Sequence, residues 1–163
     1  MNLEQDLKGI AEQEARLRFE RFDARDAWEL GLRLKQAAEA LHSPIAIDIG
    51  FFAQPLFFYA MPGTTPDNVA WLRRKRNVVR HFHRSSYAVG LWLKQKQRSL
   101  EERGLNPRDY AAHGGSFPIF VQGVGCIGAI TVSGLPQRED HELVVEVLAG
   151  FLGQPPDELA LDP

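Results

Sequence analysis

The residues best equipped for chemistry in this chain are His113-Gly114-Gly115-Ser116. Paired glycines leave backbone amides open to a ligand, and an imidazole beside them is able to ligate a metal or move a proton. The same residues also suit a structural task, in which Gly114-Gly115 turn the chain into a strand while His113 hydrogen-bonds a carbonyl. Both readings stand at this level. Ser133-Gly134 lies just ahead of a helical stretch, where it either adds an anion-binding helix start to the same pocket or simply begins the helix. From Asn68 to Leu100 there is no Asp or Glu, whereas Arg73, Arg74, Lys75, Arg76, Arg80, Arg84, Lys94, Lys96 and Arg98 all occur. Three roles compete for this basic run: a solvated face pairing with acidic neighbours such as the first helix, a groove for anions, and a nucleic-acid patch. The last is the weakest, because the formal net charge is -2 and no nucleic-acid module is present. Arg76 and Arg80 are the candidate anion partners of the His113 pocket.

Other groups look chemical but lack the required geometry. Gly123-Val124-Gly125-Cys126-Ile127-Gly128 spells G-x-G-x-x-G, yet Ala129-Ile130-Thr131-Val132 continues as a strand. A dinucleotide site needs a helix there, with its N-terminal amides facing the pyrophosphate. The glycines therefore belong to a hairpin. Asp140 and His141 are sequence neighbours, and on a helix they point about 100° apart, which defeats an acid–imidazole pair. Asp140 is expected as a dipole-complementing acid and His141 as a surface or interface residue. Cys126, among glycines in an apolar strand, is expected to be inert packing. His81 and His83 diverge on a helix and form no zinc pair. Trp71 and Trp92 are expected as core or interface anchors.

The elements that must position these groups follow from periodicity. With 163 residues and 44% apolar composition, the chain has enough for one core and little room for a second domain. Residues 1–20 are expected as an N-terminal helix, part of the domain or an oligomer contact, on the spacing of Leu3, Leu7, Ile10 and Leu17. Asp23 caps a second helix with the stripe Ala27, Leu30, Leu34, Ala38 and Leu41. At Ile45 the period changes to two, giving a strand, and Leu56-Phe57-Phe58-Tyr59-Ala60 reads as its hairpin partner, covered on both sides. Thr65-Pro66-Asp67 starts a long helix running to Gln97, which Ser85-Ser86 and Gly90 are able to bend or interrupt. Pro118–Gln122 and Cys126–Val132 form a second hairpin, and Leu135-Pro136-Gln137 opens a last helix. Residues 21–153 thus make one domain, and the proline-rich, acidic 154–163 reads as a loose tail. Tight turns within each strand pair dictate an antiparallel sheet in an α+β fold. The single Cys126 rules out an internal disulfide, and the first residues lack a secretory signal's basic and then apolar character, so a cytoplasmic address is expected. No apolar run approaches the roughly 20 residues of a membrane span.

The second half also resembles a known family. Ala111-Ala112-His113-Gly114-Gly115-Ser116-Phe117-Pro118-Ile119, then Val124 through Gln137 and Glu139-Asp140-His141, is similar to the haem-degrading-domain family related to GlcG and HbpS. Trp71-Leu72-Arg73-Arg74-Lys75-Arg76 with Ser85-Ser86 fits the branch of that family whose name does not derive from haem binding. The resemblance implies a profilin-like or sensor-like antiparallel sheet flanked by helices and self-association into a homo-oligomer. It makes haem the ligand to consider and, if the chain turns over a substrate, oxidative haem breakdown the reaction. The expected function is a homo-oligomeric small-ligand-binding or sensor-like protein, with His113 to Ser116 and Ser133-Gly134 near the pocket. The alternative is an adaptor that recruits partner proteins through its oligomeric surface. Neither nucleic acid nor a membrane is expected as a partner.

Overall fold

A computed structural model describes residues 2–163, so Met1 of the expected first helix lies outside the described residues. The chain opens with α1 (Leu3–Arg16) and α2 (Ala24–Ala40). Asn2 caps the first, and Asp23 closes a reciprocal capping box with Asp26 on the second. Strands β1 (Ala46–Phe51) and β2 (Gln54–Ala60) follow, then α3 (Pro66–Phe82) and α4 (Ser86–Lys96), a short 3-10 turn at Glu101–Arg103, strands β3 (Ser116–Val121) and β4 (Gly125–Ser133), and helices α5 (Gln137–Phe151) and α6 (Pro156–Leu159). The sheet order is β2-β1-β4-β3 and every neighbour pair is antiparallel. The fold is therefore α+β, an antiparallel sheet flanked by helices; the tight hairpins fix β1–β2 and β3–β4, and the β1–β4 pair joins them.

Alternation along the strands decides what covers each face. Ile45, Ile47 and Ile49 join Phe117, Ile119, Ile130 and Val132 in the main core, with Leu30 and Leu34 of α2 and Val144 and Leu148 of α5. The opposite face, under α3, carries a row of polar residues in register: Ser116 opposite Thr131, and Thr131 opposite Asp48. These are buried but partnered. The Ser116 and Thr131 hydroxyls lie 2.8 Å apart, and Ser86 Oγ of α4 accepts from the Ser116 amide at 3.0 Å. Val78, Val89, Leu93, Leu100 and Leu105 form a satellite core between α3 and α4.

The interruption expected at Ser85-Ser86 occurs, and two other expectations about the elements change. The long helix is two helices: His83 adopts φ 53° at the end of α3, and Ser85 Oγ accepts from the Ala88 amide to begin α4. Strand β2 is an edge strand with Phe58 53% exposed; Phe57 is buried in the core, and Leu56 and Tyr59 pack against it only partly buried. Pro55 fits an edge, where its missing donor costs nothing. The tail is packed and not loose. Leu159 is 3% exposed in the main core, and Gln13 Nε2 of α1 donates to its carbonyl at 2.7 Å. Among the described residues, no helix is long and apolar enough to cross a membrane.

Candidate functional site

The start of α3, the 111–114 loop, the end of β4 and the start of α5 meet around a cavity of about 280 Å³. Asp67, Asn68, Trp71 and Lys75 line it from α3, His113 from the loop, and Ser133, Gly134, Leu135, Gln137 and Asp140 from the β4–α5 corner. Asn68, Trp71 and Lys75 share one face of α3 because they are three and four residues apart. Thr65, whose reciprocal capping box with Asn68 starts that helix, fixes where the face begins.

The floor is an ion pair. Lys75 Nζ lies 2.8 Å from Asp140 Oδ2 and donates to the Val132 carbonyl at 3.1 Å, with side chains only 4% and 1% exposed. Asp140 Oδ1 accepts from the Leu135 amide at 3.1 Å. Burial lowers the proton affinity of the Lys75 amine, and the facing Asp140 charge only partly offsets this. Burial likewise raises the Asp140 carboxyl against the opposing pull of Lys75 and the Leu135 and Gly134 amides. At the mouth stands His113, exposed, with its ring edge-on to Trp71 at 5.1 Å. Arg74 lies over the other ring system of this wall, its guanidinium carbon 4.5 Å from the Trp71 centroid. Partial burial, then Lys75, then Arg74 lower the His113 pKa, so the imidazole is neutral at neutral pH.

Of the sequence candidates, His113, Ser133 and Gly134 line this cavity. Gly114, Gly115 and Ser116 do not. The Gly114 amide donates to Gln137 Oε1 at 3.3 Å, and Ser116 is fully buried in β3. Gly115, at φ 126°, sits where a Cβ would come within 2.6 Å of the Val132 carbonyl and 2.7 Å of Lys75 Nζ. The glycines are thus needed for turn geometry and close approach, and the Gly114 amide is taken by Gln137. Asp140 accepts from the Leu135 and Gly134 amides, which lie just ahead of α5. Arg76 pairs with Asp48 in a separate cleft with Phe58 and Val69. Arg80 lies in a third cleft beside Arg73, Asp109 and Tyr110. The member of the basic run that reaches the His113 cavity is Lys75.

Two further expectations are corrected. Asp140 is a buried ion-pair partner, and His141 is a core residue, 1% exposed, whose Nε2 lies 2.8 Å from Gln13 Oε1. Gln13 Nε2 is committed to the Leu159 carbonyl, so Gln13 Oε1 must accept and His141 Nε2 carries the proton. Cys126 behaves as expected, its thiol pushed up to about 11 by burial. The missed residues had left a signal. Lys75 stands between Leu72 and Val79 in the apolar stripe of α3, and Asp140 stands three and four residues before Leu143 and Val144 in the stripe of α5. A charge at a stripe position is a buried charge.

Comparison with known proteins fits this architecture. The chain matches the haem degrading protein HbpS-like family over residues 22–149. It is 60% identical over 154 residues to a UPF0303 protein of Serratia proteamaculans (strain 568), covering 94% of this chain and 96% of that one. The crystal structure of Ybr137w protein superposes with a TM-score of 0.82 at 30% identity, covering 90% of this chain and 87% of the other. That of a PduOC:heme complex gives 0.68 at 17% identity, covering 78% and 93%, a likeness of fold. By sequence pattern and by fold together, the chain belongs to the haem-degrading HbpS-like family.

Proposed function

We propose that this protein binds a small polar ligand in the cavity between Trp71, Lys75, His113 and Gln137. The observation that carries the reading is the solvent-open cavity with a buried Lys75–Asp140 pair as its floor and a neutral imidazole at its mouth. Titratable groups whose proton affinities are shifted by burial and by a specific charge partner, and which converge on a cavity, make it a functional-site candidate. Its volume, about 280 Å³, lies just below the roughly 300–1,000 Å³ of pockets that enclose drug-sized ligands, so the ligand is small.

Haem is the second reading, favoured by the family description and by the PduOC:heme complex among the fold relatives. An exposed, neutral His113 fits as an iron ligand, and Arg74 beside it fits a propionate. Haem would supply the iron redox chemistry, and His113 would hold the iron. The cavity itself is too small to enclose a porphyrin, so the fit is to the iron ligand and its neighbouring cation.

Fragment screening by NMR tests the first reading. Small carboxylates, carbonyl compounds and amines should shift the Trp71 indole, His113 ring and Gln137 amide signals together; hits confined to other surfaces would sink it. Haemin should give a saturable Soret shift that weakens in His113→Ala. Absence of any shift removes the haem reading and leaves the small-ligand one.

A further inference from the structure

A buried ion pair is poor value for stability. Replacing one with apolar residues of similar volume is often neutral or stabilising, because taking both charges out of water costs as much as their attraction returns. Lys75 sits between Leu72 and Val79 in the stripe of α3, where an apolar residue would continue the pattern. The fold keeps an amine there, and keeps it at the wall of a cavity that water enters. Its partner Asp140 is also in the cavity lining, and its contact with Nζ, at 2.8 Å, is direct. Amine, proton acceptor and space for a small molecule therefore coincide, with His113 at the mouth. A lysine relieved of part of its proton affinity by burial is the equipment for condensation with carbonyl compounds.

We propose that Lys75 forms an imine with a small aldehyde or 2-oxo acid in this cavity, an inference that rests on the small-ligand reading above. Asp140 Oδ2 takes a proton from the Lys75 ammonium, freeing the lone pair. Nζ then bonds to the carbonyl carbon as the C=O π pair moves to oxygen, and Asp140 returns its proton to that oxygen. Asp140 next removes a second proton from nitrogen and delivers it to the new hydroxyl. The C–O bond breaks, water leaves and the nitrogen lone pair closes C=N. Overall, ammonium and carbonyl give a protonated imine and water, with no oxidant or reductant. The cavity size restricts the compound to a few carbons, and Gly115 gives Nζ the room that a Cβ would take.

The test incubates the folded protein with pyruvate or glyceraldehyde and cyanoborohydride, then maps adducts by peptide mass spectrometry. The other lysines serve as internal controls, since Lys8, Lys94 and Lys96 are exposed and Lys35 is paired with Glu39. Reduced adduct should accumulate on Lys75 at concentrations that leave the exposed lysines unmodified, and folded Lys75→Arg, which keeps the charge facing Asp140, should lose it. Thermal shift with the same compounds, without reductant, reads binding separately. Stabilisation by pyruvate with no Lys75 adduct would overturn the imine while leaving the ligand site intact. Adducts on surface lysines alone, with no thermal shift, would overturn the imine too and count against these carbonyl compounds as ligands.

Discussion

Lys75, Asp140 and His141 show how much a single burial decides. Asp140 and His141 are adjacent in sequence yet face different interiors, because a helix turns about 100° per residue. Asp140 looks to the cavity and Lys75, and His141 to Gln13 and the rings of Tyr87 and Phe117. His141 Nδ1 is buried without a hydrogen-bond partner among the described residues. Burial, with Arg138 adding to it, depresses this imidazole to about 3. The unfolded chain takes up a proton near 6.5 while the folded one does not, so the His141 contribution is fully present above 6.5 and is lost as pH falls toward 3. Asp48 and Asp140, whose carboxyl affinities are raised, act in the opposite sense near their own range, so the effect is best read as a difference. The stability of His141→Gln relative to wild type should improve by about 1.4 kcal/mol per pH unit between roughly pH 6 and 4. Urea unfolding across that interval measures it, and parallel pH profiles for the two proteins would refute the assignment.

Among the elements, the break between α3 and α4 matters most to the site. Ser85 ends up fully buried at the start of α4, with its amide donating to Glu14 Oε1 of α1 at 2.7 Å. The break lets α4 swing against the 111–114 loop, and Gly90 is the point of contact. A Cβ there would lie 2.2 Å from the Ala112 carbonyl oxygen, one residue from His113. Gly90→Ala would remove a helix-disfavouring glycine, which alone would stabilise, but the backbone clash cannot be absorbed by a flexible side chain. Overpacking of this kind costs about 1–3 kcal/mol. The variant should therefore be less stable in urea and should shift the His113 and Trp71 NMR signals. Unchanged stability with an unmoved loop would show that the contact is slack. The hairpins, by contrast, were readable from alternation, aromatic density and turn glycines, and β1 and β4 each place apolar side chains on the face that α2 and α5 cover.

At the scale of the whole molecule, α1 and the C-terminal segment close the structure together. Gln13 bridges them, accepting from His141 and donating to the Leu159 carbonyl, while Arg16 pairs with Glu158 at 3.0 Å. Removing the buried Leu159 side chain should cost about 2–5 kcal/mol, the range for Leu→Ala in a core. A cost below about 1 kcal/mol in Leu159→Ala, within the range of a surface substitution, would restore the loose-tail reading. Periodicity and turn chemistry by themselves determined the order of helices and hairpins and the antiparallel sheet, because these depend on neighbours a few positions apart. Which cation of the basic run meets His113, that Arg76 and Arg80 lie in other clefts, that Gly114-Gly115 are closed by close packing and that 154–163 is anchored were decided only in the tertiary structure. Each of those depends on pairs such as Lys75 with Asp140 or Gln13 with Leu159, far apart along the chain, whose meeting no local pattern encodes.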